Sequence, residues 1–401
     1  MPGPLPEPLP PPRLGDRVLF PDLAAAAYLN HAGISPLSLP VRRAMADFAE
    51  DYGRDGAGAF ARWHPRRAAL KSKLARLLGA APEDLALTSS TSSGLIDVAL
   101  SFPWRPGDRV VLLEGEFPAN VVPWQRAAAL FGLEVRFVPS AAFQRSDEEG
   151  LAAVEAVLRR GARLVAASAV RFQTGLALPL GPLARLCHAH GAELAVDAVQ
   201  ALGAVPLDVR ALDVDYLAGG SHKWLMSIEG AGVLYVKPER VQALRFGVGS
   251  WLSVEDPVAF LSKGPGLLRH DRPVRRRADA FEYGSSSLVS VAALDAAVGL
   301  ILELGVGEIY AWLNRYLDAL EPLLAARGFA SVRAREPGRR SGMLCALPPP
   351  GVELERLRDR LAAEGVAIAI PDGHARFAPQ WPNGEGELPA IARALDAALA
   401  G

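Results

Sequence analysis

Glu193-Leu194-Ala195-Val196-Asp197-Ala198-Val199-Gln200 and, further on, Val214-Asp215-Tyr216-Leu217-Ala218-Gly219-Gly220-Ser221-His222-Lys223-Trp224 are the stretches that decide the fold. Each is a short apolar run that stops at a polar cluster. Runs of this length read as strands buried on both faces. The carboxyl end of such a strand is where an open α/β sheet binds its ligands. Lys223 stands out on composition, being one of five lysines in a chain with 43 lysines and arginines. Arg keeps its proton in proteins, whereas Lys can lose it and attack a carbonyl. Lys223 is therefore either a snorkelling surface residue or a candidate Schiff-base residue. Asp197 either opens a turn or presents a carboxylate to a ligand.

The same texture extends outward. Residues 85–88, 109–114, 134–138, 163–169, 193–196, 215–218 and 232–236 are strand candidates. Helical spacing at 66–78, 150–160 and 182–190 lies between them. The alternation predicts an α/β fold with a mainly parallel sheet. Only the Lys223 loop separates the last two candidates, so one of them is expected to run antiparallel. After the Gly/Pro-containing stretch 261–273 the pattern changes to long helices at 288–304 and 307–326. Short strands and helices at 353–364 and 388–400 follow. The expected division is a Pro-rich arm at 1–20, a large domain at 21–270 and a smaller α+β domain at 271–401. The arm's first fourteen positions read as extended or disordered.

Bulk properties narrow the function classes. Half of the 401 residues are hydrophobic and the net charge is −1, so no nucleic-acid or strongly charged partner is implied. Arg275-Arg276-Arg277 reads as a solvated face. Two cysteines, Cys187 and Cys345, give no disulfide framework, and no metal site is expected. There is no apolar run of membrane-spanning length and no signal-peptide pattern, so a cytoplasmic protein without membrane contact is expected. No Gly-x-Gly-x-x-Gly follows an early strand, which argues against a dinucleotide-binding domain.

Several segments carry chemistry. Thr88-Ser89-Ser90-Thr91-Ser92-Ser93-Gly94 lies between a strand and a helix, where hydroxyls and free N–H groups either cap the helix or hold a phosphate. Phe117, in Glu116-Phe117-Pro118-Ala119-Asn120, is either a core residue or a platform for a flat ring. Arg376 is either an exposed Arg or a bidentate grip on a carboxylate. Asp197 and Lys223 together suit pyridoxal 5′-phosphate, which needs a carboxylate on its ring nitrogen and a Lys on its carbonyl. Gln200 could then donate to the phenolic oxygen.

With Asp197-x-x-Gln200, Ser221-His222-Lys223 and Gly230-Ala231-Gly232-Val233-Leu234-Tyr235 assembled, the chain resembles the fold-type I enzymes of the class V aminotransferase family. That group includes cysteine desulfurases, isopenicillin N epimerase-like proteins and kynureninases. The resemblance runs from Tyr28-Leu29-Asn30-His31-Ala32-Gly33 to about Asn383. It implies a seven-stranded, mainly parallel sheet in the large domain. It implies that Lys223 forms the Schiff base with pyridoxal phosphate, that Asp197 meets the ring nitrogen and that Gln200 meets the phenolic oxygen. Thr91, Ser92, Ser221 and His222 match phosphate contacts, and Phe117 matches the stacking aromatic. Ser285, in Phe281-Glu282-Tyr283-Gly284-Ser285, matches a residue that reaches the neighbouring subunit's phosphate, implying a homodimer with shared active sites. Arg376 matches the substrate-carboxylate Arg. His31 and Asn120 are further candidate substrate contacts, and Arg171, Trp251 and His374 are other pocket candidates.

The departures shape the expected function. Desulfurases carry a catalytic Cys on a loop shortly before the Arg, and 365–374 here has none. Where many desulfurases have Asn in the loop 168–175 this chain has none, and where kynureninases have Asp it has Asn120. The expectation is an enzyme acting on a small amino acid as a lyase, possibly on a C–S bond, or as an epimerase. An aminotransferase and a non-catalytic pyridoxal phosphate-binding protein are the alternatives.

Overall fold

The computed structural model describes residues 8–400. Seven strands form one sheet in the spatial order Leu85–Thr88, Gly232–Val236, Tyr216–Gly220, Glu193–Asp197, Leu164–Ser168, Arg109–Leu113 and Glu134–Val138. Gly232–Val236 runs antiparallel to both of its neighbours, and the remaining pairings are parallel. The antiparallel strand is the one reached through the Lys223 loop, which is too short to cross over.

Alternation along each strand divides its side chains between two apolar clusters. Val111, Val165, Leu194, Leu217 and Val233 belong to one, and Leu112, Leu164, Ala195, Ala218 and Leu234 to the other. Each fully buried Leu or Val stabilises the fold by about 1.5–3 kcal/mol relative to exposure. The helix Thr91–Ser101 lies close over the second face because Gly94 has no side chain. A Cβ there would stand 3.1 Å from Ala218 Cβ.

A second body holds an antiparallel sheet of Ala375–Phe377, Leu344–Leu347 and Ala330–Ser331, with the helices Leu354–Ala363 and Leu388–Leu399. Its core joins Tyr316, Leu320, Leu344, Phe377 and Leu395 to Ala27 and Leu29 from the beginning of the chain. Ala27–Tyr28 pairs with Val366–Ala367, then His31 N donates to Ala378 O and Ser35 N to His222 O. Residues 27–35 thus run from the second body to the Lys223 loop.

The apolar helix Leu288–Leu304 packs against Leu39–Asp55 and Arg66–Leu78, so its Val291, Leu294, Val298 and Ile301 join the core beneath the large sheet. Helices on more than one side account for its apolar composition. No single described helix is long and apolar enough to cross a membrane. Of the Pro-rich arm, residues 1–7 lie outside the described residues. Beyond them Gly15 N bonds Trp381 O, and Leu19 and Phe20 are buried.

Glu282 ties the segment before that helix to the large sheet. Its carboxylate receives Arg67 Nη2 at 2.5 Å, Lys71 Nζ at 3.3 Å and Leu87 N at 3.1 Å. Glu282→Ala leaves Lys71 and one strand N–H without a described partner and Arg67 with the Ser286 hydroxyl alone. It should lower unfolding free energy by about 3–5 kcal/mol. Glu282→Gln, which keeps an acceptor for Leu87, should cost less. Urea denaturation of both variants checks the order.

Candidate active site

The carboxyl ends of the central strands gather the polar residues. Asp197 ends its strand almost fully buried and accepts one described hydrogen bond, from Val199 N at 2.9 Å. Burial is the main cause of its raised pKa. Val199 N and Lys223 oppose that rise and Glu116 adds to it. Lys223 follows the neighbouring strand, with its Nζ 5.7 Å from the centroid of the Phe117 ring. Burial lowers its pKa, Asp197 opposes the fall and Arg376 adds to it. A larger share of the amine is therefore neutral near neutral pH than for a Lys in water.

Phe117 stands edge-to-face with Phe172, their centroids 5.4 Å apart. Arg376, buried on the strand Ala375–Phe377, donates Nη1 to Phe172 O at 3.2 Å. Its Nε is buried and has no described hydrogen-bond partner. Phe117, Phe172, Lys223, Asp197 and Arg376 are thereby linked in one neighbourhood.

The helix Thr91–Ser101 opens beside them. Ser90 caps it reciprocally with Ser93: Ser93 N donates to Ser90 Oγ and Ser90 N to Ser93 Oγ. The hydroxyl of Thr91 is buried and without a described partner. A Cβ on Gly220 would come within 3.0 Å of it. Ser221 is fully buried and donates its hydroxyl to Ile228 O. His222 is half-buried, and burial together with the Lys223 charge lowers its pKa.

Other expected residues have their hydrogen bonds committed elsewhere. Gln200 accepts from Trp224 Nε1 at 2.9 Å and donates to Ala32 O at 3.1 Å. Asn120 donates to Glu116 and accepts from Trp124 Nε1. Arg171 donates to Glu116 and to Glu114 O. His31 is buried and bonds Ser35 Oγ at 2.7 Å, while Ser35 donates to Lys223 O at 2.6 Å. Because Ser35 spends its proton on that carbonyl, His31 Nδ1 must be the donor to Ser35. Ser285 and Trp251 line a separate cleft of ≈ 880 Å³ with Phe48, Tyr52 and Phe60. His374 lines a smaller, arginine-rich cavity of ≈ 390 Å³ beside Thr174. Glu116, Ser35 and Phe172 had no role in the sequence reading. Glu116 precedes Phe117 directly, and that adjacency was the one available signal.

A model of the class-V aminotransferase family matches residues 27–381. The chain belongs to this family. A probable cysteine desulfurase of Chlamydia muridarum is 31% identical over 76% of this chain and 73% of its own length. Isopenicillin N epimerase of Streptomyces clavuligerus is 30% identical over 82% of this chain and 83% of its own. The solved cysteine desulfurase CsdA of Escherichia coli superposes with a TM-score of 0.82 at 25% identity, covering 96% of this chain and 97% of that one. A cystine C–S lyase, solved with its product cysteine persulfide, shares the fold with a TM-score of 0.85 at 24% identity, over 94% and 99% of the two chains.

The chain is thus a class-V aminotransferase-family enzyme with pyridoxal 5′-phosphate as its cofactor, and the membership leaves the reaction type open. Its residues fit that group. Thr91 offers an unpaired hydroxyl at a helix N-terminus, where phosphate is favoured. Asp197 is a buried carboxylate short of donors, which a protonated ring nitrogen would supply.

The buried His31 also makes stability depend on pH. Burial lowers its pKa to about 3. The unfolded chain, with a His pKa of about 6.5, then binds a proton that the folded chain refuses. This contribution is whole above about pH 6.5 and is lost as pH falls towards 3. It should amount to about 2 kcal/mol between pH 7 and pH 5. His31→Gln should remove that much of the pH dependence in denaturation midpoints measured at the two values.

Proposed function

We propose that this enzyme is a lyase that breaks a bond at Cβ of a small amino acid, a C–S bond being the leading choice, without using a protein thiol. The observation that carries this reading is the state of its cysteines. Cys187 and Cys345 are the two in the sequence, and both are fully buried. Burial pushes each thiol up to about 12. Sulfur taken from a substrate would therefore leave with a product rather than on the enzyme.

Each site residue receives a part. Thr91, Ser92 and His222 hold the phosphate, while Ser221, its proton given to Ile228 O, braces the loop beside them; Phe117 covers the ring, and Asp197 opposes the charge on the ring nitrogen. Gln200 turns its remaining N–H to the phenolic oxygen. When bound, pyridoxal phosphate supplies the sink for electrons of a bond at Cα. Arg376, with its unpartnered Nε, fixes the substrate carboxylate. Lys223 takes the Cα proton, a task that needs the neutral amine its burial favours. His31 and Asn120 shape the wall of the pocket behind the substrate.

Ser285 completes the phosphate site of a second copy in a homodimer. The cleft around Ser285, with the exposed Trp251, Phe60 and Leu261 on its lining, supports that reading. Large exposed apolar patches mark interaction surfaces.

An epimerase is the second reading, favoured by the relative from Streptomyces clavuligerus. It would return the Cα proton to the opposite face and leave the side chain intact. An aminotransferase would require a keto-acid acceptor and ping-pong kinetics.

The test is visible absorption of the holoenzyme during titration with L-amino acids, including cysteine, cystine and kynurenine, followed by product analysis. A lyase gives a shifted band and a product lacking the side-chain group. Recovery of the D-amino acid alone supports the epimerase, and turnover only with a keto acid supports the aminotransferase. Lys223→Ala should lose at least about 10³-fold in turnover. Full activity in that variant would refute the assignment.

A further inference from the structure

Near Asp197 lies a second buried carboxylate. The Glu116 side chain is 1% exposed. Its carboxylate accepts from Ser168 N at 2.9 Å, Ser168 Oγ, Arg171 Nη1 at 2.9 Å and Asn120 Nδ2 at 3.3 Å. Ser168 is the register partner of Asp197 on the adjacent parallel strand. Neighbouring strands are about 4.8 Å apart. Glu116 is therefore fastened to the residue beside Asp197, and its negative charge reaches Asp197 through the protein interior.

The charged groups in this layer have distinct places. Lys223 and Glu116 act on Asp197. Arg171 pairs with Glu116, and its other terminal nitrogen donates to Glu114 O at 2.6 Å. Arg376 acts on Lys223. A negative charge close to a carboxylate raises that carboxylate's hold on a proton. It would also favour a cation bonded to that carboxylate, but less where the carboxylate stands between the two charges. With Asp197 so placed, the net pull on a proton shared between it and a ring nitrogen would be towards Asp197.

We propose that Glu116 is a positioning residue for the cofactor's ring proton: its buried charge, fastened to the strand beside Asp197, draws that proton from the ring nitrogen towards Asp197, and Arg171 limits the pull. A proton shared in this way leaves the ring a milder electron sink than full protonation would. The inference rests on the assignment of Asp197 to the ring nitrogen.

Nitrogen NMR of the holoenzyme carrying ring-labelled pyridoxal phosphate reads the proton's position directly. Glu116→Gln should move the ring-nitrogen shift towards full protonation, while Glu116→Asp, which keeps the charge, should stay near wild type. Arg171→Gln should move it the other way, towards an unprotonated ring. Packing damage would not give opposite signs for the two partners of one pair. An unchanged shift in Glu116→Gln, or movement of Glu116→Gln and Arg171→Gln in one direction, would overturn the proposal. If Glu116→Gln does not fold, the direction in Arg171→Gln decides alone: towards the unprotonated ring supports the proposal, and no movement or the reverse overturns it. Asp197→Asn is the control. A shift it leaves unmoved refutes the assignment of Asp197, a separate failure from that of Glu116.

Discussion

Burial on both faces of the large sheet is the constraint on which the rest of the molecule depends. A strand that gives alternate side chains to two apolar clusters has no place for an unpaired charge along its length. Polar chemistry is displaced to the carboxyl edge. Asp197 ends one strand there, Glu116 and Phe117 follow a second, and Lys223 follows a third. The same packing brings a helix N-terminus to that edge, since Gly94 lets the helix Thr91–Ser101 lie directly on Ala218. None of these residues is chemically unusual alone. Their shared edge makes them a site.

Burial then sets the protonation of that edge. It lowers Lys223 and Arg376 and raises Asp197, and the neighbouring charges modify those shifts without reversing them. A Lys that gives up its proton readily is a nucleophile and a base, and a buried carboxylate short of donors is a seat for a cationic ring. The shifts come from the sheet's dry surroundings, so the fold and the reactivity share one cause. Residues 27–35 extend that coupling to the second body. They pair with Val366–Ala367, touch Ala378 and end with Ser35 on the Lys223 carbonyl. The loop that carries the amine is thus held from both bodies.

The strands were legible because each is an apolar run closed by turn residues, and the structure returns 85–88, 134–138 and 232–236 unchanged. The helices 66–78 and 288–304 were equally plain. What helix 288–304 packs against was not, because a helix apolar on every side does not say which neighbours surround it. Within the site, Asp197 and Lys223 were readable because each ends or follows a strand. Glu116 was not, since its partners Ser168 and Arg171 lie at the end of a different strand and in the loop after it, and are brought to it by strand order alone. Side-chain commitments were invisible for the same reason. Gln200 and Asn120 look available in the sequence, yet much of their amide capacity is taken by Trp224, Ala32, Glu116 and Trp124.

Cys345 offers the sharpest test of the thiol-free reading, because it lies beside the proposed carboxylate grip. It is the antiparallel register partner of Arg376, and their side chains share one face of the small sheet. A thiolate next to a guanidinium is a recognised way to make a nucleophile. Here burial outweighs the guanidinium: the thiol is pushed up to about 12, with Arg376 acting to lower it. At pH 7 about one molecule in 10⁵ would then carry the thiolate. Cys345 is also completely enclosed, so no substrate sulfur can reach it without opening the small sheet. Its position therefore belongs to packing, and in the proposed reading the bond-breaking chemistry would fall to Lys223 at the carboxyl edge of the large sheet.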